Sequence, residues 1–201
     1  MEAQTWTPVD KKNARLIIEK INALHDITLF DSESTRLQET KLSFYDDYIL
    51  LKATELAAIP PLNMRFLFRS GEIVKLDGTI DAFNTVNRKA KINLNQDNVY
   101  AYAKFFLGSL VSQDGAFRIV ESIDDVEFSL DPTDEELEKI TSAINSPIIK
   151  EDDNGFNIET NMIYSDCVYK VNIFVNKNGD LDILNEEVLL SEMPVRAIML
   201  R

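Results

Sequence analysis

With 201 residues, 45% of them hydrophobic and 27% charged, the chain can bury roughly 71% of its unfolded surface in one large domain or two small ones, so a core forms without staples. Six Gly and six Pro exclude a collagenous or low-complexity chain, the lone Cys167 excludes an internal disulfide, and the lone His25 excludes a zinc site built on a His pair. The net charge of −13 is unevenly divided, with 13 Lys+Arg against 14 Asp+Glu in residues 1–100 and 8 against 20 in residues 101–201, so the second half repels phosphate backbones and anionic lipid.

The first residues carry neither a basic n-region nor an apolar h-region, so no secretory leader is expected. Thr7-Pro8-Val9-Asp10 has the form of a helix start, and Ala14, Ile17, Ile18, Ile21 and Leu24 at spacings of three and four predict a helix over 8–25. His25 then sits at the negative end of the helix dipole, where a capping role is expected. A short strand over 27–30 precedes a polar run, 31–40, that reads as a surface loop.

From 41 to 76 the texture becomes β-branched and aromatic. Strands are expected at 42–45, 48–53, 64–69 and 72–76, with turns at Asp46-Asp47 and Ser70-Gly71, and Pro60-Pro61 excludes a central strand there. Thr79 is a candidate cap for a short helix with Ile80 and Phe83. Asn95 is a candidate cap for a stronger one, whose buried stripe is Val99, Tyr102, Ala103, Phe106 and Leu110. The apolar stretch 105–111 contains Gly108 and Ser109 and is far shorter than the ~18 to 20 residues a membrane span needs.

Residues 116–121 read as a strand. Asp131-Pro132-Thr133 followed by acids at 134–136 and by Leu137, Ile140 and Ile144 is the clearest helix signal, ended at Asn145-Ser146-Pro147. Alternation at Phe156, Ile158, Thr160 and Met162, then at Cys167, Tyr169, Val171, Ile173 and Val175, then at Leu181 and Ile183 predicts a meander, with a turn at 176–179. The whole reads as an α+β protein, with hairpins near 41–76 and a meander near 156–190 packed with three or four helices. A single domain over 1–201 is expected, with a candidate subdivision near 123–132.

No reaction centre assembles from these residues. Lys75-Leu76-Asp77-Gly78-Thr79 is similar to the Asp-x-Asp-Gly-Thr loop of haloacid dehalogenases, but Lys75 stands where that chemistry needs a nucleophilic Asp. The loops 150–155 and 174–179 have a Gly at the sixth position, as an EF-hand does. They place Lys150 or Phe174 at the first ligand position and Asn161 or Asn185 at the twelfth, so both are expected to be turns. His25 is the one candidate base for a Ser or Cys triad, and Cys167 is patterned as a sheet residue. No cofactor or metal is therefore expected. The most suggestive feature for a ligand is the aromatic set Tyr100, Tyr102 and Phe105, since aromatics on two faces of a helix line a core, a cavity or a partner. Met193, Ile198, Met199 and Leu200 either dock on the sheet or form a subunit contact.

Leu76-Asp77-Gly78-Thr79, the helix over 99–106, Phe117-Arg118-Ile119-Val120-Glu121, the strands over 164–175 and Glu192-Met193-Pro194-Val195 together resemble an uncharacterised family of bacterial proteins. The resemblance spans about 64–195 and implies a bacterial, cytoplasmic setting with no activity, cofactor or catalytic residue to carry over. A reducing cytoplasm also suits the single cysteine. The leading functional expectation is a non-catalytic binding or interaction protein whose acidic second half meets a basic protein partner; acidity serving only solubility is the plainer reading. The alternative is a carboxylate-dependent hydrolase or transferase with a cleft near the 99–106 helix. A homo-oligomeric scaffold is the third.

Overall fold

The computed structural model describes residues 5–113 and 115–195. Within them the chain forms two compact units, one from residues up to 76 with 88–91, the other from 77–87 with the residues from 92 onward. Four α-helices and antiparallel sheets make the α+β fold.

In the first unit β1 (Thr7–Pro8), β2 (Thr35–Lys41), β3 (Ile49–Glu55), β4 (Leu62–Arg69) and β5 (Glu72–Lys75) form an antiparallel sheet in chain order, with α1 (Lys11–Asn22) between the first two strands. The helix starts later than its Thr-Pro signal predicts. Thr7 and Pro8 pair with Glu39 and Gln38, and the Val9 amide donates to Leu37 O, which holds this segment extended. Asp10 therefore supplies the cap, its carboxylate accepting from the Lys12 and Asn13 amides. The helix also ends earlier. Asn22 turns its side chain to the following segment, accepting from the Leu29 and Phe30 amides and donating to Phe30 O.

The polar run expected to be a loop is in fact β2, in register between β1 and β3. Its one large apolar side chain, Leu37, joins Ile17, Ile18 and Ile21 of α1 with Phe30, Leu51, Ala53 and Phe66 in a single core. Residues 42–45, expected as a strand, form a turn whose Leu42, Phe44 and Tyr45 are nonetheless buried. Ser70 and Gly71 make the predicted β4–β5 turn, both with positive φ.

The second unit contains α2 (Ile80–Asn87), α3 (Val99–Leu107), a small hairpin of β6 (Val111–Ser112) and β7 (Gly115–Ala116), β8 (Arg118–Val120), α4 (Asp134–Ala143), β9 (Ile148–Glu151), β10 (Gly155–Tyr164), β11 (Cys167–Asn176) and β12 (Leu181–Leu190). The main sheet runs β12-β11-β10-β8, with β9 also on β10. The expected meander is present, with one strand more than the pattern announced, since Ile148–Glu151 follows Pro147 at once. Thr133 and Glu136 form a reciprocal capping box at α4, where the acids crowd as predicted.

Period two assigns the two faces of the meander. Phe156, Ile158 and Thr160 share a face with Val175, Ile173 and Val171. The Tyr100 hydroxyl reaches this face at Thr160 Oγ1, 3.1 Å away. On the opposite face Ile163 and Val168 gather with Val120, Val126, Val195 and Ile140 of α4. Met193 packs on that cluster, which places one of the carboxyl-end residues on the sheet; Ile198, Met199 and Leu200 lie outside the described residues.

Candidate functional site

Tyr102 is fully buried. Its hydroxyl donates to Gly179 O at 2.5 Å and accepts from Asn87 Nδ2 at 2.8 Å, so it ties α2 and α3 to the β11–β12 turn. Gly179 is required here: its φ is +86°, and an added Cβ would lie 2.8 Å from both the Tyr102 hydroxyl and Asn87 Nδ2. Phe105 packs edge-on against Phe83, with ring centroids 5.6 Å apart. Burial, opposed by the Thr160 hydrogen bond and reinforced by Glu121 and Asp125, pushes the Tyr100 hydroxyl up to about 12. Beside it Lys104 lies 5.7 Å from the Tyr100 ring centroid and pairs with Glu121 at 2.5 Å. The three aromatics thus face three different partners, Thr160, Gly179 and Phe83.

The two loops with EF-hand-like spacing are Asx turns. Asp152 Oδ1 accepts from the Asn154 and Gly155 amides, and Asn176 Oδ1 accepts from the Asn178 and Asp180 amides. In the Asp77-Gly78-Thr79 loop the Asp77 carboxylate accepts from the amide and hydroxyl of Thr79, a turn leading into α2. Among the described residues no three His, Cys, Asp or Glu side chains gather where they could hold a metal ion. No helix among them is long and apolar enough to cross a membrane.

Two charged networks in the first unit escaped the sequence pattern. Arg69 donates to Asp47 and Glu72 at 3.0 Å each, lies 4.7 Å from the centre of the Tyr48 ring, and donates to Lys89 O at 2.7 Å. Lys89 closes the set on Glu72 at 2.6 Å. Burial and the Glu72 carboxylate push the Tyr48 hydroxyl up to about 12. Elsewhere Glu55, buried, accepts from the Asp31 and Ala57 amides and the Thr35 hydroxyl. A bond from Ser34, then these donors, hold its carboxyl at about 2 against the opposing effect of burial.

The second unit handles charge differently. Over the described residues the first unit carries 13 Lys+Arg against 10 Asp+Glu, a net of +3, and the second carries 6 against 22, a net of −16. In the second unit Lys104, Arg118, Lys139, Lys170 and Lys177 each pair with one glutamate. Five of its six described cations are thus committed, to five of its 22 described acids. Halving the sequence at residue 100 blurred this contrast, because 77–87 and 92–100 contribute acids to the second unit and no Lys or Arg.

The acids reach an edge of the sheet at β12. Asp182, Leu184, Asn185, Glu186, Glu187 and Val188 are exposed there. Lys170 is opposite Glu187 in register but pairs with Glu159 on its other side, at 3.0 Å. Beside the end of β12 lies an open groove of about 610 Å³ lined by Glu135, Glu138, Lys139 and Asn145 from α4 and its end, and by Leu189 and Leu190. The signal in the sequence was present, acids at 182, 186 and 187 inside a strand pattern, but nothing local says that the strand ends a sheet.

No family model, curated protein or solved structure matches this chain.

Proposed function

We propose that the protein is a non-catalytic interaction protein whose second unit docks a basic protein partner. The supporting observation is the division of charge, +3 against −16, with acids carried onto an exposed strand and the adjoining α4 groove. Such a field draws cationic surfaces at long range and repels nucleic acid and anionic lipid. A cytoplasmic setting in a bacterium belongs to the same proposal.

The test uses fluorescence anisotropy with a labelled oligolysine of about twenty residues, at rising salt. Binding is expected to weaken steeply, because exposed charges more than a Debye length of about 8 to 10 Å apart are screened near 0.1 to 0.15 M. Replacing Glu138, Glu186 and Glu187 together by Lys is expected to abolish it. Equal loss from reversing Asp97, Asp124 and Asp153, exposed acids away from β12, would reduce the site to bulk acidity and overturn the proposal.

A carboxylate-dependent hydrolase or transferase at the 99–106 helix has one observation in its favour, the grouping of Tyr100, Lys104 and Glu121 near Thr160. There the Lys104 ammonium donates to Glu121 and lies against the Tyr100 ring. Tyr102 and Phe105 belong to this reading as lining residues. Oligolysine binding that Tyr100→Phe leaves unchanged separates it from the leading one.

A further inference from the structure

We infer that β12 receives its partner by strand addition: the free edge over 185–188 pairs with an extended, basic segment of another protein. The inference rests on the acidic docking surface proposed above and specifies how that surface is used.

The sheet edges of the molecule are not alike. In the first unit β1 is two residues long and includes Pro8, which has no amide hydrogen to offer, and β5 has four residues. On the far side of β10 the edges are β8, with three residues, and β9, with four. β12 has ten, and among the described residues no strand pairs with its outer side. A row of unpaired backbone donors and acceptors of that length is a template for another chain.

Its register defines the usable part. Opposite β11, the pairing shifts between Asn172 and Ile173 and again between Val168 and Tyr169, which leaves Leu184 and Leu189 without opposite residues. These irregularities bend the edge at two points. Between them Asn185, Glu186, Glu187 and Val188 pair regularly with Asn172, Val171, Lys170 and Tyr169. The exposed Leu184 and Val188, at 57% and 55%, flank the acids with apolar surface. Glu186 and Glu187 point to opposite faces, so an incoming strand there needs cationic residues at two successive positions, flanked by short apolar ones.

Charge selects the occupant. A second copy added antiparallel about Glu186 or about Glu187 would set that glutamate directly opposite its own counterpart, and like charges directly opposite destabilise a sheet. The groove beside the end of the strand adds Glu138, while Glu135 there is paired with Lys139. A basic strand meets the same residues with attraction. The edge is therefore protected against its own copy by the groups that admit a cationic one.

The experiment measures binding of the full chain to an eight-residue peptide, Val-Lys-Lys-Val repeated twice. The control has the same sequence and charge but carries D-Lys in place of L-Lys, so it cannot adopt a regular pleated strand. Amide hydrogen exchange over 181–190 is followed with each. The expected result is at least about tenfold tighter binding of the L-peptide, with slowed exchange confined to 185–188, and loss of both in Glu186→Lys/Glu187→Lys. Equal binding of the two peptides without protection of 185–188 would overturn strand addition and leave electrostatic docking standing. Failure of both peptides to bind would overturn both. Protection of 185–188 that grows with protein concentration, without peptide, would assign the edge to a second copy and overturn the inference.

Discussion

The two units treat charge in opposite ways. In the first, Arg69, Asp47, Glu72 and Lys89 are joined to one another, and Glu55 is enclosed by donors, so ionised groups hold the chain's own turns in place. In the second, few cations serve many acids, and the acids extend along β12, where among the described residues no Lys or Arg forms an ion pair with Asp182, Glu186 or Glu187. Charges joined internally contribute to stability, whereas exposed and unmatched ones contribute chiefly to long-range attraction. Stability and recognition are thereby assigned to different regions.

The largest expected effect tests the anchoring of the second unit. Tyr102→Ala removes a fully buried ring and leaves Gly179 O and Asn87 without its hydroxyl, at a cost on the order of 3 to 5 kcal/mol in urea unfolding. Trp6, the chain's tryptophan, lies in the first unit, so its fluorescence follows that unit while far-UV circular dichroism follows both. The variant is expected to shift the dichroism transition more than the fluorescence transition. Equal shifts would mean that 1–201 unfolds as one domain and that the contrast between units is one of charge alone.

Next is Glu55→Gln, which turns an acceptor of several hydrogen bonds into a group that must donate where donors already point. About 1 to 3 kcal/mol should be lost near neutral pH. The native carboxyl is held below its ordinary 4.5, at about 2, so its contribution is complete above the ordinary value and declines as pH falls from about 5 towards 2. Acid titration of the wild type and of Glu55→Gln should therefore converge over that window. Parallel curves would remove Glu55 from the internal network.

A smaller effect is expected from Arg69→Ala. Its partners are a quarter exposed and water replaces part of what is lost, so about 1 to 2 kcal/mol is the expected change in the Trp6-monitored transition. No change would show that the first unit's ion pairs are as dispensable as ordinary surface pairs. The least effect on stability belongs to Glu186→Lys/Glu187→Lys, within about 0.5 kcal/mol because both side chains are exposed, even as oligolysine binding is lost. A large drop in stability would place these acids among the structural ones and erase the contrast.

Some of this was legible along the chain. The α4 boundary was, because Thr133 and Glu136 act within one turn. The turn at 176–179 was too, because Asn176 binds amides two and four residues on. Among the proposed ligand residues, Tyr102 was correctly read as part of the buried stripe, but its role at Gly179 was not visible, since 77 positions separate the two. β2 was missed because one leucine is all it gives the core; its neighbours on both sides, not its own composition, make it a strand.

The sequence by itself determined the α+β class, the single histidine and single cysteine, and the acidity of the later residues, because periodicity, residue type and charge are local or additive properties. Only the tertiary structure decided that 88–91 lies with the first unit, that the charge divides as +3 and −16, and that β12 is an edge. Those facts depend on which segments meet across long separations. A strand's own residues specify that it can pair, but the presence or absence of a neighbour is settled by the rest of the fold.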